Sequence, residues 1–160
     1  MDCVELLEYV AALTLFDGYF DIRPGRSYEV IIADMNGEFL KEICEELHRC
    51  HNATCKVVKP SRDRAWRLRI YGRELVLELY ATAQRLLQQP NERLLEAAID
   101  AEGAVTRGSG QPVRIRIVQK QGEKAEAIRV VLDKLSVPYL IAHRRGGYVE
   151  FVISSRDNVR

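Results

Sequence analysis

Two carboxylates in this chain stand at matching places 85 residues apart. Asp17 precedes Gly18 at the end of Val10-Ala-Ala-Leu-Thr-Leu-Phe-Asp17-Gly18, and Glu102 precedes Gly103 at the end of Leu95-Glu-Ala-Ala-Ile-Asp-Ala-Glu102-Gly103. Both segments are apolar, carry an alanine pair and stop at a glycine, the pattern of a short core helix with a C-terminal stop. The carbonyls and macrodipole of that end are negative, so an acid there is disfavoured by up to ~1 kcal/mol unless a cation neutralises it. Seen twice, the arrangement points to divalent-metal chemistry, with two carboxylates sharing metal ions rather than repelling each other.

The elements that must position these acids follow from periodicity. The sequence predicts helix 3–17, hairpin 19–35, helix 37–50, hairpin 54–71 and helix 73–88, and then a break at Gln88-Gln-Pro-Asn91. Asn91 is a plausible N-cap with Glu92 in the first turn, opening helix 92–102, hairpin 104–120, helix 122–136 and hairpin 138–154. This is an α+β chain in which an αββαββ unit is used twice, with a final helix in the first unit alone. The predicted divisions are 1–88 for the first repeat, 89–91 for a linker and 92–160 for the second repeat. The segments beginning Asn36-Gly-Glu-Phe and Gln121-Gly-Glu-Lys start almost alike, so the repeat extends beyond the two motifs. Small side chains at Ala11, Ala12, Ala97 and Ala98 suit a close contact between the two motif helices, which would bring Asp17 and Glu102 together on a pseudo-twofold axis.

Charge is segregated within a nearly neutral chain. Net charge is +1, yet segments 20–35, 54–71, 104–120 and 138–150 hold fourteen Lys/Arg against five Asp/Glu, leaving everything else eight negative. Basic strands on an acidic body are the electrostatic footprint of a nucleic-acid binder. In Val113-Arg-Ile-Arg-Ile-Val-Gln-Lys120 the apolar Val113, Ile115 and Ile117 alternate with Arg114, Arg116, Val118 and Lys120, which leaves the basic face open. Trp66, Leu68 and Ile70 alternate in the same way with Arg67, Arg69 and Tyr71. Tyr19, Phe20 and Trp66 are assigned to sheet packing.

These residues carry a family resemblance. Both acid-bearing segments resemble the LAGLIDADG motif, the second closely and the first more loosely, with Leu15 and Phe16 where the family has Asp and a small residue. The whole chain resembles the single-chain, two-repeat LAGLIDADG homing endonucleases. That resemblance implies two saddle-shaped antiparallel sheets forming a groove over a long duplex DNA target, packed through the two motif helices. It implies that Asp17 and Glu102, with the carbonyls of Phe16 and Ala101, hold Mg²⁺, for which Ca²⁺ or Mn²⁺ can substitute. Both strands would be cut, leaving short 3′ overhangs. Lys120 falls where the family often has a basic residue near the attacking water, and the first repeat places Asp34 and Met35 opposite Gln119 and Lys120.

For contact with double-stranded DNA, strand positions and hairpin tips single out Arg23, Arg26, Tyr28, Arg62, Arg64, Arg67, Arg69, Arg107, Arg114, Arg116, Gln119, His143, Arg144 and Arg145. Arginine pairs bidentately with guanine in the major groove or holds phosphate, and the two roles are about evenly balanced. Two other functions fit the same features: an intron maturase binding structured intron RNA, and a catalytically inactive DNA-binding regulator. With both motif helices in one chain, a monomer is expected.

Other chemistries and settings are disfavoured. Cys44, His48, Cys50, His51 and Cys55 cluster within twelve residues, but no CxxC pair is present and one helix would point its thiols apart, which argues against zinc. Reduced thiols are expected, with a Cys50–Cys55 disulfide as the alternative. The acidic start (Asp2, Glu5, Glu8) is unlike a targeting peptide, and no apolar run spans a membrane, which predicts a cytoplasmic protein without membrane contact.

Overall fold

The computed structural model describes residues 1–106 and 113–154. They form two compact units, Met1–Arg85 and Leu86–Arg160.

In the first unit, α1 (Cys3–Asp17) leads into β1 (Gly18–Arg23) and β2 (Ser27–Asp34), followed by α2 (Gly37–His51), β3 (Thr54–Val58), β4 (Trp66–Tyr71) and α3 (Arg73–Gln88). The second repeats the order with α4 (Glu92–Glu102), β5 (Gly103–Thr106), β6 (Arg114–Lys120), α5 (Glu123–Lys134), β7 (Leu140–Arg144) and β8 (Tyr148–Ser154). Each unit holds a four-stranded antiparallel sheet, ordered β1-β2-β4-β3 in one and β5-β6-β8-β7 in the other. Both second strands are therefore central, flanked by a hairpin partner and by the last strand of their unit.

Three of the helix starts, those of α1, α2 and α4, carry side-chain caps. Asp2 and Glu5 form a reciprocal capping box on α1, and the carboxamide oxygens of Asn36 and Asn91 accept backbone N–H groups of α2 and α4. In the three-residue β7–β8 turn, Gly146 and Gly147 both have positive φ, 79° and 78°, a left-handed conformation that glycine adopts without steric cost.

One face of each sheet is covered by helices. In the first, Val30, Ile32, Leu68 and Ile70 are wholly buried beneath α1 and α2. In the second, Ile117 and Phe151 play that part beneath α4 and α5, with Ile128 and Val131 buried in α5. The motif helix α1 is buried from Leu6 through Thr14 at all but one position, so it is a core helix around most of its circumference. Ala11, Ala12, Ala97 and Ala98 are fully buried.

The cysteines depart from expectation. Cys3 is disulfide-bonded to Cys50 and Cys44 to Cys55, in place of reduced thiols or a Cys50–Cys55 bridge. Cys44 and Cys50 do point to different sides of α2, and each side has its own partner. The α1 N-terminus brings Cys3 to a Cα separation of 5.4 Å from Cys50, and β3 brings Cys55 to 5.9 Å from Cys44. His51 donates from Nε2 to the Cys3 carbonyl at 2.9 Å, and His48 Nδ1 lies 3.3 Å from the Ala53 carbonyl. Among the described residues no three His, Cys, Asp or Glu side chains group as a metal cluster. No described helix is long and apolar enough to cross a membrane.

Candidate functional site

Asp17 and Glu102 occupy equivalent places in their units. Each is the last residue of its helix, and the strand begins at the next residue with no loop between. Gly18 and Gly103 continue the helical hydrogen bonding, donating to the carbonyls of Thr14 and Ile99. Neither helix has a basic residue in its own last turn, where a cation would offset the acid and the helix-end carbonyls. Both acids are half-buried.

The glycines are required for a steric reason. A Cβ on Gly18 would lie 2.2 Å from the Ile31 carbonyl oxygen of β2, and one on Gly103 would lie 2.4 Å from the Ile99 carbonyl oxygen. Backbone cannot yield as a flexible side chain can, so glycine is needed at Gly18 for close approach to β2 and at Gly103 for the chain to leave α4 past the Ile99 carbonyl.

Each site offers a carboxylate beside carbonyls at a helix end, including those of Phe16 and Ala101. Hard, anionic oxygen donors of this kind suit Mg²⁺, Ca²⁺ or Mn²⁺ and not a soft thiophilic ion. The residues therefore fit the divalent ion that the sequence implied.

Register sorts the candidate nucleic-acid contacts by face. Residues directly paired across strands share a face. In the first sheet Arg67 opposes Ala33 and Val58, Arg69 opposes Ile31 and Lys56, and Arg23 opposes Ser27. All three arginines lie on the open face. In the second sheet Arg114, Arg116, Lys120 and Arg144 share the open face with Glu150. Arg26, Arg62, Arg64 and Arg145 are exposed in hairpin turns. Arg107 lies outside the described residues.

Three candidates sit on the other face. Tyr28 pairs with Ile22 in the row of Val30, and Gln119 and His143 both pair with buried Val149. The alternation that turns Ile115 and Ile117 inward also carries Gln119 inward. Tyr19 departs in the opposite sense. It pairs with Ile31 on the open face and is 57% exposed, so it is not a packing aromatic. Phe20, one residue on, meets Tyr80 of α3 edge-on at 5.3 Å, and Trp66 lies under Gly37 at the start of α2.

The open faces also hold acids that the charge count concealed. Glu29 pairs with Arg69 at 2.9 Å, and Asp63 with Arg67 at 2.6 Å. Both oxygens of Glu150 are engaged, by Arg116 at 3.0 Å and Arg144 at 2.7 Å. The hydrogen bond from Arg67 holds the Asp63 carboxyl below its ordinary value, and Glu29 raises the Arg69 guanidinium. Strand composition hinted at these acids, but cross-strand partners needed the register.

At the end of the second strand the two units differ. The pairs Gly18–Ile32 and Gly103–Ile117 are equivalent, which sets Asp34 against Gln119 and Met35 against Lys120. Lys120 and Met35 are both exposed, while Asp34 accepts from the Asn36 N–H at 2.8 Å and serves the turn into α2.

Two αββαββ units, each opening on an apolar helix that ends in a carboxylate and passes directly into a strand, define the two-repeat LAGLIDADG fold. No protein-family model matches the sequence, and no curated protein matches it. Among solved structures the chain is similar to the homing endonuclease I-DmoI in complex with DNA and Mn, with a TM-score of 0.74 at 22% identity over 99% of this chain and 94% of that one. The I-DmoI complex with DNA and Ca gives 0.74 and 22% over 99% and 87%. The N-terminal LAGLIDADG domain of DUF199/WhiA gives a TM-score of 0.62 at 11% identity, over 99% of this chain and 79% of that one.

Proposed function

We propose that this chain is a site-specific homing endonuclease that makes a divalent-metal-dependent double-strand break, with 3′ overhangs, in a long duplex DNA target. The observation that carries the reading is the retention of a carboxylate at both helix ends, Asp17 and Glu102, with no cation in either last turn. The fold shared with I-DmoI, whose complexes contain DNA with Mn or Ca, supports it.

In this reading Asp17 and Glu102 hold Mg²⁺ with help from the Phe16 and Ala101 carbonyls, and each acid serves one strand. The bound ion supplies Lewis acidity at the scissile phosphate and a water of lowered pKa. Lys120 polarises water or phosphate beside the second acid. Met35 gives the first acid no such help, so one strand is cut faster than the other. The open-face and turn arginines, including Arg23, Arg26, Arg62, Arg64, Arg67, Arg69, Arg114, Arg116, Arg144 and Arg145, hold phosphates and read bases. The chain acts as a monomer.

The test is cleavage of a randomised duplex library in Mg²⁺ by the wild type, Asp17→Asn and Glu102→Gln, with Ca²⁺ as the binding-only control. Recovery of one long site cut on both strands, lost in either variant, is expected. Tight, salt-sensitive binding without cutting by the wild type would overturn the nuclease and favour the inactive regulator or the intron-RNA maturase.

A further inference from the structure

Glu150 is out of place on a surface that meets a polyanion. It lies on the open face of the central strand β8, yet its side chain is only 9% exposed, because Arg116 from β6 and Arg144 from β7 close over it. Arg116 Nη1 donates to Oε1 and Arg144 Nη1 donates to Oε2, so both carboxylate oxygens are engaged while, among the described residues, each guanidinium spends one nitrogen. The Nε–Nη2 edge of both guanidiniums is left for another acceptor. A surface ion pair contributes little to stability, and an acid here weakens attraction for phosphate. What the acid gains is order: two long side chains from different strands are fixed side by side.

We propose that Glu150 is a positioning residue for sequence readout, which holds Arg116 and Arg144 so that their remaining edges pair with guanine bases of the target. This rests on the DNA-binding reading above and adds to it which residue sets selectivity on the second sheet. Fixed forks suit the bidentate O6/N7 acceptors of guanine, and the buried negative charge penalises contact with DNA that offers only phosphate. Glu150 thereby exchanges affinity for discrimination.

The experiment is selection of bound duplexes from a randomised library in Ca²⁺ by the full chain and by Glu150→Gln and Arg144→Lys, followed by sequencing. Glu150→Gln is expected to lose about tenfold in base preference at one or two adjacent positions, keep it elsewhere, and hold unselected duplex more tightly. Arg144→Lys keeps the charge but loses the fork, so it should flatten preference within the same positions. Because Arg144 is exposed, that variant tests the proposal even where Glu150→Gln fails to fold. Unchanged preferences in both variants, or a uniform loss at every position, would overturn the positioning role and leave DNA binding standing. Failure of the wild type to retain any duplex would overturn the functional reading, and this proposal with it.

Discussion

The two halves share a strand order and a helix-to-strand junction but are secured differently. The first is closed by two disulfides, one joining the start of α1 to the end of α2 and the other joining α2 to β3. The second has no cysteine, and its edge strand β7 is exposed along its whole length. Conversely, the second half carries Lys120 and the Arg116–Glu150–Arg144 cluster, where the first has Met35 and separate one-to-one pairs, Glu29–Arg69, Asp63–Arg67 and Asp21–Arg23. A repeated fold thus constrains backbone geometry far more tightly than it constrains cross-links or the charges displayed on it.

The largest expected effect comes from removing the cross-links. Each disulfide is worth ~2–4 kcal/mol, mostly through the unfolded chain. Reductant, or Cys3→Ser with Cys44→Ser, should raise hydrogen exchange in β1–β4 with little change in β6–β8. Equal loosening of both halves would break the contrast.

Next comes the proposed inequality of the two cutting centres. Lys120→Met should slow one strand by about a hundredfold, the scale of a lost positioned proton-transfer group, and make the two nicking rates on supercoiled plasmid more alike. Equal rates already in the wild type would remove the distinction between Lys120 and Met35.

Gly18→Ala should cost ~1–3 kcal/mol, because the new methyl meets backbone that cannot move aside. Thermal melting of this variant beside Ser27→Ala, on the same sheet, gives the measure, and a loss no greater than that of Ser27→Ala would contradict the close approach.

The smallest effect concerns Asp63. Its folded carboxyl titrates below the ordinary aspartate value because Arg67 donates to it, so the pair contributes above the unfolded pKa and is lost as pH falls through the depressed one. An NMR titration should find that low midpoint, moving back up in Arg67→Ala.

Much of this was legible in the chain. Helices 3–17 and 92–102 were bounded correctly because an N-cap and a carboxylate–glycine stop agree there, and helix 73–88 because an amphipathic run lies between Gly72 and Gln88-Gln-Pro. The basic face of β6 was equally plain from its strict alternation. Tyr28 was misplaced because Val30-Ile31-Ile32 is apolar on both faces and hides the parity of its strand. The disulfides were missed for another reason: a sequence taken for cytoplasmic argued for reduced thiols, and Cys3 lies 47 residues from its partner.

The sequence by itself determined the order of elements, the duplication and the two acids at helix ends, since each is written in local spacing and short-range capping. Tertiary structure alone decided which cysteines meet, which face His143 takes, and that Glu150 clasps two arginines. Those outcomes depend on strand register and helix placement, where residues far apart in sequence come within a few ångströms.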